Sequence, residues 1–142
     1  MSADVGDIEQ IVAAAYRPYI ARIGRPPAPM TADYAALVAA GAVDVLLGDT
    51  PAGVLVTVAE PDHLLIENVA VAPWAQGRGH GRRLLDHAEH RARSHGLTEL
   101  RLYTNALMTE NLALYPRLGY RETGRHTDSG FDRVYFSKAL TG

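Results

Sequence analysis

No segment of the 142-residue chain restricts its folding more than the passage from Leu64 to Gly96, "LLIENVAVAPWAQGRGHGRRLLDHAEHRARSHG". It opens with a run of near-continuous apolar character, Leu64 to Val71, the pattern of a central strand covered on both faces. Leu84, Leu85, Ala88 and Ala92 then recur at helical spacing between Gly79 and His95, and Gly96 stands where a helix ends. Between strand and helix lie Gly77, Gly79 and Gly81, which strip side chains from the chain just where the helix is to begin. A tight turn would need such glycines, and so would an anionic ligand seated on the backbone.

The remaining elements are arranged around that unit. Apolar residues at Ile8, Ile11, Val12, Ala15, Tyr16 and Tyr19 predict an amphipathic helix over Asp7–Tyr19, its last turn distorted by Pro18. A proline-rich break, Arg22 to Met30, precedes a second helix capped by Thr31 and stopped by Gly41. Val43–Leu47 and Gly53–Ala59 flank the turn "GDTPAG" as a hairpin, and "LTELRLYT" alternates as a strand. A short helix, Glu110 to Leu118, follows a Thr109 cap. Strands around Tyr120–Arg125 and Arg133–Leu140 are joined by the polar loop "HTDSGFD". The order ααβββαβαββ gives one α/β (α+β) domain over residues 1–142, with mixed sheet pairing.

Composition removes several function classes. There is no cysteine, so disulfides, thiolate nucleophiles and cysteine metal sites are excluded. His87, His90 and His95 lack zinc-site spacing and read as solvated helix positions, and no metal is expected. A net charge of −2, with no aromatics interleaved among Arg82, Arg83, Arg91 and Arg93, argues against nucleic acid. No apolar run reaches the ~18 residues of a membrane span, and no signal peptide opens the sequence, so a cytoplasmic protein is expected.

The glycine stretch has a chemistry. The first N–H groups of a helix lack internal partners and its dipole makes that end partly positive, so a glycine loop there admits phosphate. A Walker A loop would need Lys after Gly81, where Arg82 stands; a dinucleotide fingerprint would need glycine at Arg82. The pattern that fits is Gln76-Gly77-Arg78-Gly79-His80-Gly81, preceded by Val69-Ala70-Val71 and followed by Arg83-Leu84-Leu85. It resembles the acetyl-CoA-binding motif of the GNAT N-acetyltransferases. Asn111 to Tyr120, "NLALYPRLGY", is similar to a second signature of that family. The resemblance is strongest over Leu64–Tyr120 and extends more loosely over Asp7–Ala59.

The resemblance implies a mixed, mostly antiparallel sheet flanked by helices, and acetyl-CoA as cofactor. Backbone N–H groups from Gln76 through Gly77, Arg78, Gly79, His80 and Gly81 would hold the pyrophosphate, with charge from Arg78 and from Arg82 or Arg83. The main chain of Val69, Ala70 and Val71 would align pantetheine, and a backbone N–H near Val69 would polarise the thioester carbonyl. Tyr115 would protonate the leaving thiolate. Glu67, a carboxylate in an apolar strand, would act as a water-relayed base or make a structural hydrogen bond, with water alone as a third route. Asn68 would ligate substrate or satisfy bulged backbone.

Three departures from the family stand out. Met108 occupies the family's usual asparagine position, and Asn111 is the preferred substitute. Pro116 predicts an irregular turn at Tyr115. The family's first strand is expected to be missing, which would expose a sheet edge and favour a homodimer.

For the acceptor, Tyr19, Arg25, Met30 and Asn68 are the candidate contacts, while Tyr16 reads as a core residue. Direct transfer to a small-molecule primary amine is the leading expectation. Acetylation of a peptide or protein amine and a non-catalytic acyl-CoA-binding module are the alternatives.

Overall fold

The computed structural model describes residues 5–47, 51–128 and 130–140. Its frame is a six-stranded sheet built from β1 (Val43–Leu47), β2 (Pro51–Ala59), β3 (Leu64–Val71), β4 (Glu99–Asn105), β5 (Arg121–Asp128) and β6 (Phe131–Ala139), in the order β1-β2-β3-β4-β6-β5. Every neighbouring pair is antiparallel except β3 and β4, as the mixed topology predicts. No strand precedes the first helix among the described residues, and β1 is an edge.

Helices cover the sheet unequally. On one face α4 (His80–Ser94) packs Leu84, Leu85, Ala88 and Ala92 against Leu55, Leu64, Leu100 and Phe136. Tyr115 joins that layer from α5 (Thr109–Arg117). On the other face α1 (Val5–Tyr16) sets Ile8, Ile11 and Val12 against Val54, Val56 and Ala70. Tyr34, the first residue of α3 (Tyr34–Ala39), completes that second layer. Between α1 and α3 lie α2 (Pro18–Ile23) and a short 3-10 turn, Ala28–Thr31.

Several boundaries differ from the sequence reading. Pro18 does not distort the end of one helix; it begins α2, where its missing N–H is one of the helix's unpaired donors anyway. The cap of α3 is Asp33, whose Oδ1 accepts from the Ala36 N–H at 3.1 Å, while Thr31 turns back to the Ala28 carbonyl. Met108, not Thr109, holds the cap position of α5. Pro116 lies within the last turn of α5 and the helix runs through Tyr115, so the expected irregular turn is absent. The loop "HTDSGFD" is mostly strand, with only a turn at Gly130 between β5 and β6; Ser129, like Gly48–Thr50 of the "GDTPAG" turn, lies outside the described residues.

One irregularity positions the site. Val56 pairs with Asn68 but Thr57 pairs with Ile66, leaving Glu67 as an extra residue, a β-bulge in β3. Before it Leu64 and Ile66 face the α4 layer; after it Ala70 faces the α1 layer and Val69 and Val71 take the α4 side.

Candidate active site

β3 and β4 pair only at Leu64–Leu100, Leu65–Arg101 and Ile66–Leu102, although both strands run on. Beyond Ile66 they splay. The Ala72 N–H donates to the Ala52 carbonyl at 2.8 Å, so the alternation of an antiparallel ladder turns the N–H and C=O of Val69 and Val71 away from β2, into the gap. Both carbonyls there are taken by side chains, Val69 by the Tyr16 hydroxyl at 3.2 Å and Val71 by Gln76 Nε2 at 3.2 Å. Their N–H groups face the gap left by β4.

A pocket of about 50 Å³ sits at the splay. Glu67, Asn68 and Val69 reach it from β3, Tyr103 and Thr104 from β4, and Asn111 and Tyr115 from α5. Pro27, Ala28 and Pro29 form one wall and Phe131 another. Glu67, Tyr115 and Asn111 are thus brought together.

Tyr115 is buried, edge-on to Tyr120 with ring centroids 5.6 Å apart and tilted against Phe136. Its hydroxyl makes no hydrogen bond to a described residue, and burial pushes its pKa up to about 12. The phenol therefore carries its proton across the neutral range. Glu67 is half-buried, and its side chain has no hydrogen bond or ion pair among the described residues. Asn111 donates from Nδ2 to Thr104 Oγ1 at 3.1 Å beside the buried Met108 sulfur.

Asn68 is held on both sides. Its Oδ1 accepts from the Tyr16 hydroxyl at 2.6 Å, and its Nδ2 donates to the Tyr34 hydroxyl at 3.0 Å. Tyr34 in turn donates to the Pro29 carbonyl, and burial pushes its pKa up to about 12. A chain of hydrogen bonds so joins the bulged strand to the proline wall.

The other candidate acceptor contacts lie outside the pocket. Tyr19 donates to Glu110 Oε2 at 3.1 Å, and Arg22 binds Glu110 Oε1 at 2.6 Å, tying α2 to the start of α5. That guanidinium holds the Glu110 carboxyl down at about 2. Arg25 lies over the Phe131 ring at 3.8 Å, and Met30 falls in the 3-10 turn without lining the pocket. Sequence reasoning passed over Tyr103 and Thr104, while the proline-rich stretch, which the sequence left open between a preformed wall and a plain connector, supplies the Pro27–Pro29 wall. The alternation of Leu100 and Leu102 with Arg101 and Tyr103 is the signal that could have placed Tyr103 opposite the α4 core.

Below the splay, Gly77 and Gly79 have φ of 81° and 77°, and no atom lies within 4 Å of where a Cβ would stand on either. Side chains are absent there because the backbone is left-handed and open to solvent. A Cβ on Gly81 would meet only Val71 Cγ2, at 3.8 Å. Arg78, Arg82 and Arg83 are exposed and form no ion pair among the described residues, while His80 Nδ1 is buried without a hydrogen-bond partner. Open glycines, a helix N-terminus, unpaired cations and a strand edge offering N–H groups suit a diphosphate on an extended amide-bearing arm.

A family model described as acetyltransferase (GNAT) family matches residues 8–120. Mouse N-alpha-acetyltransferase 80 is 42% identical over 62 residues, 44% of this chain but only 18% of that protein. The fold is shared with the ribosomal-protein-S18-alanine N-acetyltransferase of Escherichia coli, at TM-score 0.71 and 20% identity over 100% of this chain and 93% of that one. It is shared also with the PaiA N-acetyltransferase of Thermoplasma acidophilum solved with coenzyme A, at TM-score 0.73 and 16% identity over 96% and 93%.

Proposed function

The chain belongs to the acetyltransferase (GNAT) family, and from that premise we propose that it transfers acetyl from acetyl-CoA directly to a primary amine held beside Glu67. The observation that carries this reading is the meeting of Glu67 and Tyr115 at the splay of β3 and β4.

The backbone from Gln76 to Gly81, with Arg78 and Arg82 or Arg83, would hold the diphosphate. The N–H groups of Val69 and Val71 would align the arm along the open edge of β3. Bound there, acetyl-CoA supplies an acetyl thioester whose C–S bond breaks as the N–C bond forms.

The protein's own groups manage the protons. Glu67, through a water, takes one proton from the incoming ammonium, so that a lone pair is available. Tyr115 Oη holds the proton destined for the departing sulfur, and a phenol kept protonated by burial is in the right state to give it. The second proton shed by the nitrogen restores Tyr115, and one proton is released overall. The absence of cysteine supports direct attack over an acyl-enzyme.

A small-molecule amine is the acceptor expected from sequence, and a polypeptide amine fits the same chemistry. The deciding experiment is thiol release from acetyl-CoA across a panel of amines, beside calorimetry with coenzyme A. Heat of binding with turnover of at least one amine supports the enzyme. Binding without turnover of any amine leaves the non-catalytic module, and no binding removes the reading altogether.

A further inference from the structure

The helices of the α1 side stop at β3. Arg101 and Tyr103 of β4 lie opposite the buried Leu100 and Leu102, and Arg133, Tyr135 and Ser137 of β6 lie opposite the buried Val134 and Phe136. Over these strands and β5 the sheet is bare, forming a trough of about 1120 Å³. Three strands about 4.8 Å apart and seven to nine residues long give it a floor roughly 10 Å wide and 25 Å long.

The trough is built and adjoins the active-site pocket. Tyr103 lines both cavities. Arg133 lies 4.3 Å over the Tyr103 ring and is fixed by Asp128 at 3.0 Å. Tyr135 follows with its centroid 5.7 Å from Tyr103, and His126 lies tilted against it at 4.3 Å. The result is a row of flat, side-supported rings leading away from Glu67. Arg101 and Arg133 are neutralised by Glu99 and Asp128, so the floor is aromatic and hydrogen-bonding, without a strong field of either sign.

Size separates the acceptor classes. Pockets that enclose whole small ligands measure about 300–1,000 Å³. The pocket beside Glu67 is about 50 Å³, room for an amino group and little more, so most of any acceptor lies outside it. The trough lies next to it, across Tyr103.

Resting on the acetyltransferase reading above, we infer that the acceptor is the amino terminus of a polypeptide, with the terminal nitrogen in the small pocket and the following residues laid along the Tyr103–Tyr135–His126 row. The row crosses the strands, Tyr103 of β4 facing Tyr135 of β6 with His126 beyond it on β5, so it runs along the width of the floor. An extended chain advancing about 3.3 Å per residue lays roughly three residues on it, and further residues continue past β5. Main-chain amides over flat rings and fixed guanidinia are bound with little regard to side chain, whereas a compact free amine leaves the row unused.

The test compares amino-acid amides with hexapeptide amides beginning with the same residues, in thiol release from acetyl-CoA, with coenzyme A binding followed by calorimetry. At least one hexapeptide should exceed its matching amide by 100-fold or more in kcat/KM. Thr123→Trp, an exposed trough position on β5, should cut that advantage at least tenfold while coenzyme A affinity is unchanged. Arg121→Glu serves the same purpose if the tryptophan variant does not fold. Equal rates for amides and hexapeptides, or turnover of free small amines alone, overturn the inference and leave the acetyltransferase reading standing. A dimer in light scattering that Thr123→Trp dissociates, with hexapeptides no better than amides, assigns the trough to a second copy and overturns it too. Failure to bind coenzyme A defeats the underlying reading instead.

Discussion

The Tyr16 hydroxyl lies 2.6 Å from Asn68 Oδ1, and through Asn68 it is linked to Tyr34 and to the carbonyl of Pro29. The amide of Asn68 is therefore spent inside the protein, joining α1 and α3 to β3, although the residue lines the pocket.

Asn68→Ala should destabilise the fold by about 1–3 kcal/mol, read as a lower urea midpoint at unchanged slope. The effect stays in that range because Tyr16 keeps the Val69 carbonyl at 3.2 Å and Tyr34 keeps Pro29. The proline wall should loosen with it, seen as faster amide exchange at Ala28 and Met30.

Tyr115→Phe removes a hydroxyl that holds nothing else in place. Folding stability and coenzyme A affinity should be preserved while kcat falls by roughly 10²–10⁴-fold. Equal turnover by the phenylalanine variant would take Tyr115 out of the chemistry. Glu67→Gln should lower kcat/KM most near neutral pH, and a high-pH rescue of that variant is the sign of a lost base.

Glycine positions test the diphosphate cradle. Gly79 has φ 77°, so any side chain there is strained whether or not a ligand binds. Gly81 is the cleaner site, since its Cβ would meet only Val71 at 3.8 Å. Gly81→Ala should stabilise α4 by ~0.5–1 kcal/mol while weakening coenzyme A binding at least tenfold. A stabilised variant with undiminished affinity contradicts the cradle. Gly53→Ala is a contrasting control: its Cβ would stand 2.9 Å from Leu84 Cδ1 and 3.2 Å from the Ala70 carbonyl, for a loss of about 1–3 kcal/mol by overpacking.

Burial raises both Tyr34 and Tyr115 from 10.0 to about 12. Between those values the unfolded chain has lost protons that the native state retains, so stability declines as pH rises. It is complete below pH 10 and falls by a sum on the order of 4 kcal/mol by pH 12. Denaturant titrations at stepped alkaline pH, with Tyr115→Phe beside the wild type, should show part of the slope removed in the variant. The remainder stays with Tyr34 and with Tyr16, Tyr103 and Tyr120, whose phenols burial also raises.

Much of this was legible in the residues. β3 begins and ends where the apolar run does, and α4 spans its glycines because periodicity and stop signals coincide. Glu67 and Tyr115 stood out as a charged residue in an apolar strand and as a motif tyrosine. β5 runs past the Tyr120–Arg125 that its sequence predicts because it lies at the sheet edge, exposed on both faces, and carries no alternation to read. Thr31 and Asp33 are equally plausible caps, and only the Asp33 side chain meets an amide of α3. The bulge was hidden because apolar residues lie on both faces of β3, so a change of parity leaves the run unbroken. Tyr103 reaches the pocket through long-range packing, which no local pattern records, and the stiffness of the proline stretch is legible while the pocket it lines is not.

The surplus residue at Glu67 is an addition to the architecture of this protein, not a support of it. Excising it would restore an unbroken ladder and leave Asn68, Val69, Ala70 and Val71 on the sides they already occupy, each against its present partner on β2. Mutational drift can therefore lose the carboxylate by deletion as well as by exchange, and either route leaves both layers standing, the strand straightening where the residue is deleted.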